Sequence, residues 1–399
     1  MRLTVVSPFV DRRHGTERAL AELLERLARD KQCEIHLYAQ RAEDISLARS
    51  AAADGAGTIV WHKISSVPGP QLLQFLSWLF LNSFCRTWDR RVRGVRCDLV
   101  LSPGINCLDA DAIIVHALFH RLQKLARAEE PETAAPGFLR RLHRRSYYAV
   151  LSAFERRIYA DPKVSLAAVS PRTASLLTEY FRRQDVRVIP NGVDTAQFSP
   201  AARLAGRSQA RALRKFREND FVLLLVGNDW SNKGLLSILE ALPKMLDLPA
   251  KLLVVGSDAS TSSREMARRL GVLDRCFWEP ARADILEAYA AADVYVSPSR
   301  EDSFGMPVAE AMACGLPVIT SVLAGVSGLL HDGADSFILR DPRDLESLAK
   351  LIRMLCEQPE MRTRIGQAAA KTALEWSWDR NAAAVWEFLK EVKAKKNSA

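Results

Sequence analysis

Short apolar runs alternate with longer amphipathic segments along this chain, and the alternation occurs twice. In the first half the runs fall at residues 3–6, 35–38, 58–61, 99–101, 112–115, 165–169 and 186–189, with helical spacing from Thr16 and over 172–181. A polar, arginine-rich stretch around 201–219 interrupts the pattern, which restarts at 221–226, 252–255, 294–296 and 317–320. Two successive units of this kind predict an α/β protein with two doubly wound sheets, joined near residues 195–205. Ligands of such sheets bind at the carboxyl ends of the strands, so the cleft between the domains is the expected active site.

Within this pattern residues 301–321, EDSFGMPVAEAMACGLPVITS, carry the most chemistry. The preceding run, 292–298, reads as a buried strand, and Gly305 then lets the backbone turn sharply into a helix. Pro307 suits the first turn, where no N–H is needed, and Gly315 suits the position after the last. The amides of residues 304–308 would point outward and, with the helix dipole, form an anion site suited to a pyrophosphate. Glu310, one turn inside, would repel phosphate but accept two hydrogen bonds from a ribose diol, and Asp302 would accept from a second sugar. A plainer reading also fits these residues alone: Glu310 as a helix acid favoured by the dipole, Asp302 as a loop cap.

Composition narrows the class. At 399 residues, 48% hydrophobic and 26% charged, the chain is long enough for two cores. No signal peptide is expected, because residues 1–6 read as a first strand and charges follow at 11–13. Seven scattered cysteines without a CxxC pair suit reduced thiols in the cytoplasm and suggest no metal site. The 22 uncharged residues from 64 to 85 are broken by Pro68, Gly69 and Pro70, leaving too short an apolar part to span a bilayer. A net charge of +9 favours an anionic partner. A nucleic-acid partner is not expected without interleaved aromatics or a recognition motif, nor a nicotinamide cofactor without GxGxxG in the first loop.

The 301–321 segment resembles the donor-site signature of retaining glycosyltransferases of family 4, which have the GT-B fold and use nucleotide-activated sugars. Two acids eight positions apart mark that family, and Asp302 and Glu310 meet the spacing, with Asp where Glu is usual. FVLLLVGNDWSNKG (221–234) resembles its phosphate loop: Gly227 ends a strand and Lys233 precedes Gly234 at a helix start. Asn228 stands where an arginine is usual, so Lys233 would carry more of the diphosphate's charge, with help from Arg282. An exposed lysine in a helix-capping loop is the competing reading. IPNGVDTAQFSP (189–200) is similar to the family's interdomain connection and SPFVDRRHGTERA (7–19) to its first loop, where Gly15 would let the backbone approach the donor or acceptor. A plain strand-to-helix loop competes there. AIIVHALFH (112–120) places His116 where many members carry a histidine facing the donor sugar, against a purely structural histidine; His120 reads as structural or acceptor-facing. Asp109 and Asp111 form the Asp-x-Asp pair that holds a divalent ion in metal-dependent GT-A enzymes, but they precede a strand and read as turn chemistry.

The resemblance implies an acceptor-side domain over 1–200, with residues 376–399 packing back on it, and a nucleotide-sugar domain over 201–375. It implies transfer with retention, needing no metal or other cofactor. Asp302, His116 and Lys233 would serve catalysis, and Gly15, Gly227, Lys233, Arg282, Ser303, Phe304, Gly305, Met306 and Glu310 would bind the donor, a UDP-sugar being favoured. The order of features is most similar to lipopolysaccharide core glucosyltransferases, which implies a glycolipid or saccharide acceptor. Residues 72–88 are rich in Leu, Phe and Trp, and 138–159 read as an amphipathic helix with Arg140, Arg141, Arg144, Arg145, Arg156 and Arg157 on its polar face. These suit a cytoplasmic protein peripheral on an anionic membrane, or equally a core helix with a solvated face. A GT-B protein that binds nucleotide sugar without transferring it is the alternative function.

Overall fold

The computed structural model describes residues 1–47, 57–128, 138–282 and 284–398, and groups them into two units. The N-terminal unit comprises Met1–Val169, Thr173–Ile189 and Asn381–Ala399. Its parallel sheet has the spatial order Ile59–Lys63, Glu34–Ala39, Arg2–Val6, Leu99–Ser102, Ala112–Val115, Ser165–Ala168, Arg187–Val188. Numbered along the chain this is 3-2-1-4-5-6-7, a doubly wound sheet whose order reverses between Arg2–Val6 and Leu99–Ser102. Val6, Ile113, Val115 and Leu166 pack with Trp78, Leu151, Ile158 and Leu177 from the helices Gln71–Val92, Phe138–Tyr159 and Pro171–Phe181. The helix Gly15–Lys31 separately buries Leu20, Leu24 and Leu27. Of the terminal helix Trp378–Ser398, the part from Asn381 belongs to this unit, where Lys393 pairs with Asp98 at 3.0 Å and Arg187 with Glu391 at 2.9 Å.

The C-terminal unit comprises Ser170–Arg172 and Pro190–Arg380. Its sheet runs Cys276–Glu279, Ala250–Val255, Phe221–Val226, Val294–Ser297, Val318–Ser321, Phe337–Leu339, all parallel, which is 3-2-1-4-5-6 along the chain. All six residues of Phe221–Val226 are buried, which explains why the strand reads as a continuous apolar run rather than an alternating one. Leu223, Leu225, Leu252 and Val254 pack against Ile238, Leu239, Ile352 and Leu355. Each such side chain contributes about 1.5–3 kcal/mol when fully buried, so this core fixes the strands that carry the loops above them.

The Asn-Gly pair at 191–192 reads as turn punctuation, but Gly192 does not have a left-handed φ. Its role is space. A Cβ there would lie 2.5 Å from the Trp378 ring, while the neighbouring Val193 N–H donates to the Trp376 carbonyl at 2.7 Å. The apolar run 64–85 falls largely in the helix Gln71–Val92, and no described helix is long and apolar enough to cross a membrane. The side chains of Arg140 and Arg141 lie outside the described residues.

Gly192→Ala is expected to cost about 1–3 kcal/mol through overpacking against Trp378. Urea unfolding of the full chain checks this, and an unchanged midpoint would mean that the contact is not required.

Candidate functional site

The order of the C-terminal sheet reverses between Phe221–Val226 and Val294–Ser297, which are paired neighbours. The loops leaving their carboxyl ends therefore meet, and a crevice at such a switch point is where ligands of open α/β sheets bind. One loop delivers Lys233 and the other Asp302. Their side chains form an ion pair, each less than one-fifth exposed. Asn232 ties the same loops again: its Nδ2 donates to the Glu301 carbonyl at 2.7 Å, and its own carbonyl accepts from the Arg300 N–H at 2.7 Å.

A second set of contacts holds the Asp302 loop from its other side. Asp302 N–H donates to Leu323 O at 3.2 Å, Gly325 N–H to Asp302 O at 2.8 Å, and Val326 N–H to Phe304 O at 2.7 Å. A Cβ on Gly325 would sit 1.9 Å from Ser303 O, so glycine alone permits this approach. Ser170 Oγ donates to the same Ser303 carbonyl at 2.7 Å, and Arg172 grips Glu301 through two nitrogens at 2.8 and 3.3 Å. Phe304 is buried and set edge-on to Trp376 with ring centroids 6.4 Å apart, so it anchors the loop by packing.

Gly305 has φ +98°, a left-handed conformation in which it starts the helix Met306–Ala313, with Pro307 in the first turn. The amide array is narrower than residues 304–308. Phe304 N–H points to Asp302 Oδ1 at 3.4 Å, Val308 N–H donates to Gly305 O at 2.9 Å, and Pro307 has none. Among the described residues no acceptor takes the N–H of Gly305 or Met306. Glu310 also differs from expectation. The residue is 3% exposed and its carboxylate accepts from the Tyr289 hydroxyl at 2.8 Å, so one oxygen that a ribose diol would use is engaged. Burial, followed by the Glu310 charge, raises the Tyr289 hydroxyl well above its ordinary pKa, which keeps it a donor.

Of two further residues of the expected donor site, Gly227 lies where expected and Arg282 does not. Gly227 ends its strand, its N–H donating to Val255 O at 2.9 Å, and a Cβ there would lie 3.4 Å from Lys233 Cε. Arg282 is not brought to the lysine by any described contact: Glu287 at 2.6 Å and Glu279 at 3.6 Å hold its guanidinium. Asn228, where an arginine is usual, instead accepts from Ser257 N–H at 2.8 Å and ties down a neighbouring strand-end loop.

In the N-terminal unit, Gly15 is the first residue of its helix, preceded by a loop in which Asp11 accepts from the amides of Arg13 at 2.8 Å and His14 at 3.2 Å. His116 follows Ala112–Val115 at its carboxyl end and is 7% exposed. Burial brings its pKa down from 6.5 to about 4, so the ring is neutral near pH 7. His120 is structural: Glu155 accepts from its Nδ1 at 2.7 Å and from the amides of Phe119 and His120 at 2.6 and 2.9 Å, closing the start of the next helix. Asp109 is gripped by Arg86 at 2.6 and 2.9 Å, and Asp111 accepts from Val100 N–H and Lys396 Nζ, both at 2.8 Å.

Sequence reasoning missed Asn232, Ser170, Gly325 and Tyr289. Asn232 adjoins Lys233 within the 221–234 motif, but its side chain reaches the other loop. The other three lie far along the chain from the groups they position, and no local spacing marks them.

Two parallel doubly wound sheets, one with a lysine–carboxylate pair and a helix start at its switch point, define the GT-B architecture of nucleotide-sugar glycosyltransferases. The comparisons agree. Residues 13–197 match the family described as Glycosyltransferase Family 4, and residues 207–372 the one described as Glycosyl transferases group 1. The chain belongs to these glycosyltransferases. It is 31% identical over 257 residues to a D-inositol 3-phosphate glycosyltransferase of Salinispora arenicola, an alignment covering 60% of this chain and 57% of the relative. To the lipopolysaccharide glucosyltransferase WaaG of Escherichia coli it is 27% identical over 232 residues, 57% of this chain and 62% of that one. The chain thus spans about half the length of the curated relatives it matches first. A crystal structure of WaaG superposes with a TM-score of 0.75 at 20% identity, covering 96% of this chain and 99% of that one. Anabaena HepE in complex with UDP-glucose superposes with 0.70 at 18%, covering 98% and 100%. At these identities the superpositions show the fold.

The depressed His116 pKa predicts a ring signal that does not titrate between pH 5.5 and 8, checked by NMR of labelled histidine. Between 6.5 and about 4 the unfolded chain would bind a proton that the folded chain does not, so His116 makes stability fall as pH is lowered through that window. His116→Phe is expected to flatten that part of the acid limb in thermal melts.

Proposed function

We propose that this protein is a retaining hexosyltransferase that moves a sugar from a nucleotide diphosphate donor, UDP-sugar favoured, to a hydroxyl of a glycolipid or saccharide acceptor. The observation that carries the reading is the meeting of Lys233, Asp302 and the amides of Gly305 and Met306 at the switch point of the C-terminal sheet. A unit charge pair 4 Å apart is worth about 4 kcal/mol at an effective dielectric of about 20, before the cost of stripping water from both groups. A diphosphate offers Lys233 more negative charge than one carboxylate does. Donor entry therefore draws the ammonium from Asp302 toward the phosphates and frees Asp302 for the sugar hydroxyls.

As the glycosidic bond breaks, Lys233 and the two amides stabilise charge gathering on the leaving diphosphate, in the role a divalent metal plays elsewhere. Glu310 binds the ribose through its carboxylate, which Tyr289 orients. His116, neutral, hydrogen-bonds the sugar. The acceptor hydroxyl attacks on the face the diphosphate leaves and gives its proton to a donor phosphate oxygen. Arg282 receives no role. The likeness to WaaG supports a lipopolysaccharide core acceptor, while the inositol phosphate relatives support a phosphorylated cyclitol as the competitor. We place the protein in the cytoplasm, peripheral on the inner face of the membrane, where a lipid-linked acceptor is available.

The closed Lys233–Asp302 pair also favours a second reading, a protein that binds nucleotide sugar without turnover. A panel of UDP-, GDP- and ADP-sugars separates the two. The main reading expects release of the nucleotide diphosphate, a product of unchanged anomeric configuration by proton NMR, and a loss in kcat/KM of at least about a hundredfold for Lys233→Ala. Inverted product, or full activity in that variant, would contradict it; saturable binding without turnover would select the alternative.

A further inference from the structure

We propose that one face of the helix Gln71–Val92 seats the protein on an anionic lipid bilayer. This rests on the peripheral-membrane part of the reading above and names the surface that makes the contact. Leu73, Leu76, Phe80, Phe84, Trp88 and Val92 are between 42% and 69% exposed, and they make up six of the fourteen exposed large apolar side chains among the described residues. The others are scattered. At about 100° per residue these six fall within one arc of the helix, opposite the buried Trp78, Leu79, Asn82 and Asp89, and they run for roughly 28 Å along it. Phe80 stacks on Phe84 and Phe84 on Trp88, each with ring centroids 6.4 Å apart. The buried face is fixed: Trp78 Nε1 donates to Asn106 O at 3.0 Å and Tyr38 OH to Asp89 at 3.0 Å, so the stripe cannot turn inward without breaking these bonds.

Charge selects the occupant. Residues 64–97 hold five arginines and a single acid, Asp89, which is 4% exposed and tied to Tyr38, His62 and Arg93. Arg90, Arg91, Arg93 and Arg96 are exposed at the end of the stripe. The neighbouring helix Phe138–Tyr159, which meets this one through Phe75 and Phe154, exposes Arg144, Arg145, Arg156 and Arg157. A second copy of the chain supplies no counter-charge, because antiparallel pairing of the two helices would set these arginines against residues 71–76, which carry no carboxylate. A bilayer interface supplies both needs: an acyl boundary for Leu, Phe and Trp, and phosphates for the arginine forks. The helix is not apolar enough to cross the bilayer, so it lies on the surface.

The test is sedimentation of the full chain with vesicles of phosphatidylcholine, alone or with about 30 mol% phosphatidylglycerol. Wild type is expected to bind the anionic vesicles, more weakly at high salt, and the triple variant Phe80→Ser, Phe84→Ser, Trp88→Ser to need roughly tenfold more lipid or beyond. Its melting temperature and its hydrolysis of soluble UDP-sugar should match wild type; Phe80→Ser alone serves if the triple variant does not fold. Equal binding by variant and wild type would overturn this assignment of surface while leaving membrane seating intact. No binding of wild type to either vesicle would overturn seating itself, and turnover of soluble donor would still stand apart. Equal binding to both vesicles would remove the anionic partner, and a concentration-dependent dimer lost in the variant would replace the bilayer with a second copy.

Discussion

The ion pair between Lys233 and Asp302 is the constraint on which the site depends, because it joins the two loops that the C-terminal sheet brings together. Parallel strands with reversed order leave those loops adjacent but do not fix their registers. Asn232 fixes one register through two backbone contacts, and residues 323–326 fix the other through a short ladder on the Asp302 loop. Gly325 and Ser170 then lock the Ser303 carbonyl. The acid loop has little freedom left except in the Asp302 side chain and the open amides of Gly305 and Met306.

That division of labour has an energetic reading. The backbone of the site is preorganised by contacts that a ligand does not have to break, so binding energy is not spent on ordering it. The one polar contact a ligand does disturb is between two charged side chains, where an incoming diphosphate can substitute for the carboxylate. The one-methylene-shorter acid matters here, since Asp302 reaches both Lys233 and the Phe304 amide from within the turn. His116 follows a different logic: burial keeps its ring neutral near pH 7, so it brings no positive charge.

Much of the fold was legible because strands buried on both faces are written as unbroken apolar runs, as in FVLLLV at 221–226. The helix after Gly305 was legible because a left-handed glycine, a proline and an alanine-rich run are local signals. The site was legible only as far as its chemistry is local. Lys233 and Asp302 stood out within their own loops, but nothing in the sequence paired them across 69 positions. Burial was the other blind spot. Glu310 reads as a ribose ligand or a helix acid, yet Tyr289 and the core close over it, and Arg282 reads as a helper of Lys233 although two glutamates hold it. The stripe of Gln71–Val92 reads from sequence as either surface or core, because apolarity does not say which face finds a neighbour.

The most direct test of the central claim is a double-mutant cycle on UDP affinity, measured by calorimetry for wild type, Lys233→Met, Asp302→Asn and the double variant. If Asp302 restrains a lysine that the diphosphate recruits, Lys233→Met weakens UDP by at least about tenfold, Asp302→Asn leaves it equal or tighter, and the double variant matches Lys233→Met. If Asp302→Asn weakens UDP as much as Lys233→Met and the two losses add, the pair is not a switch and the account is wrong.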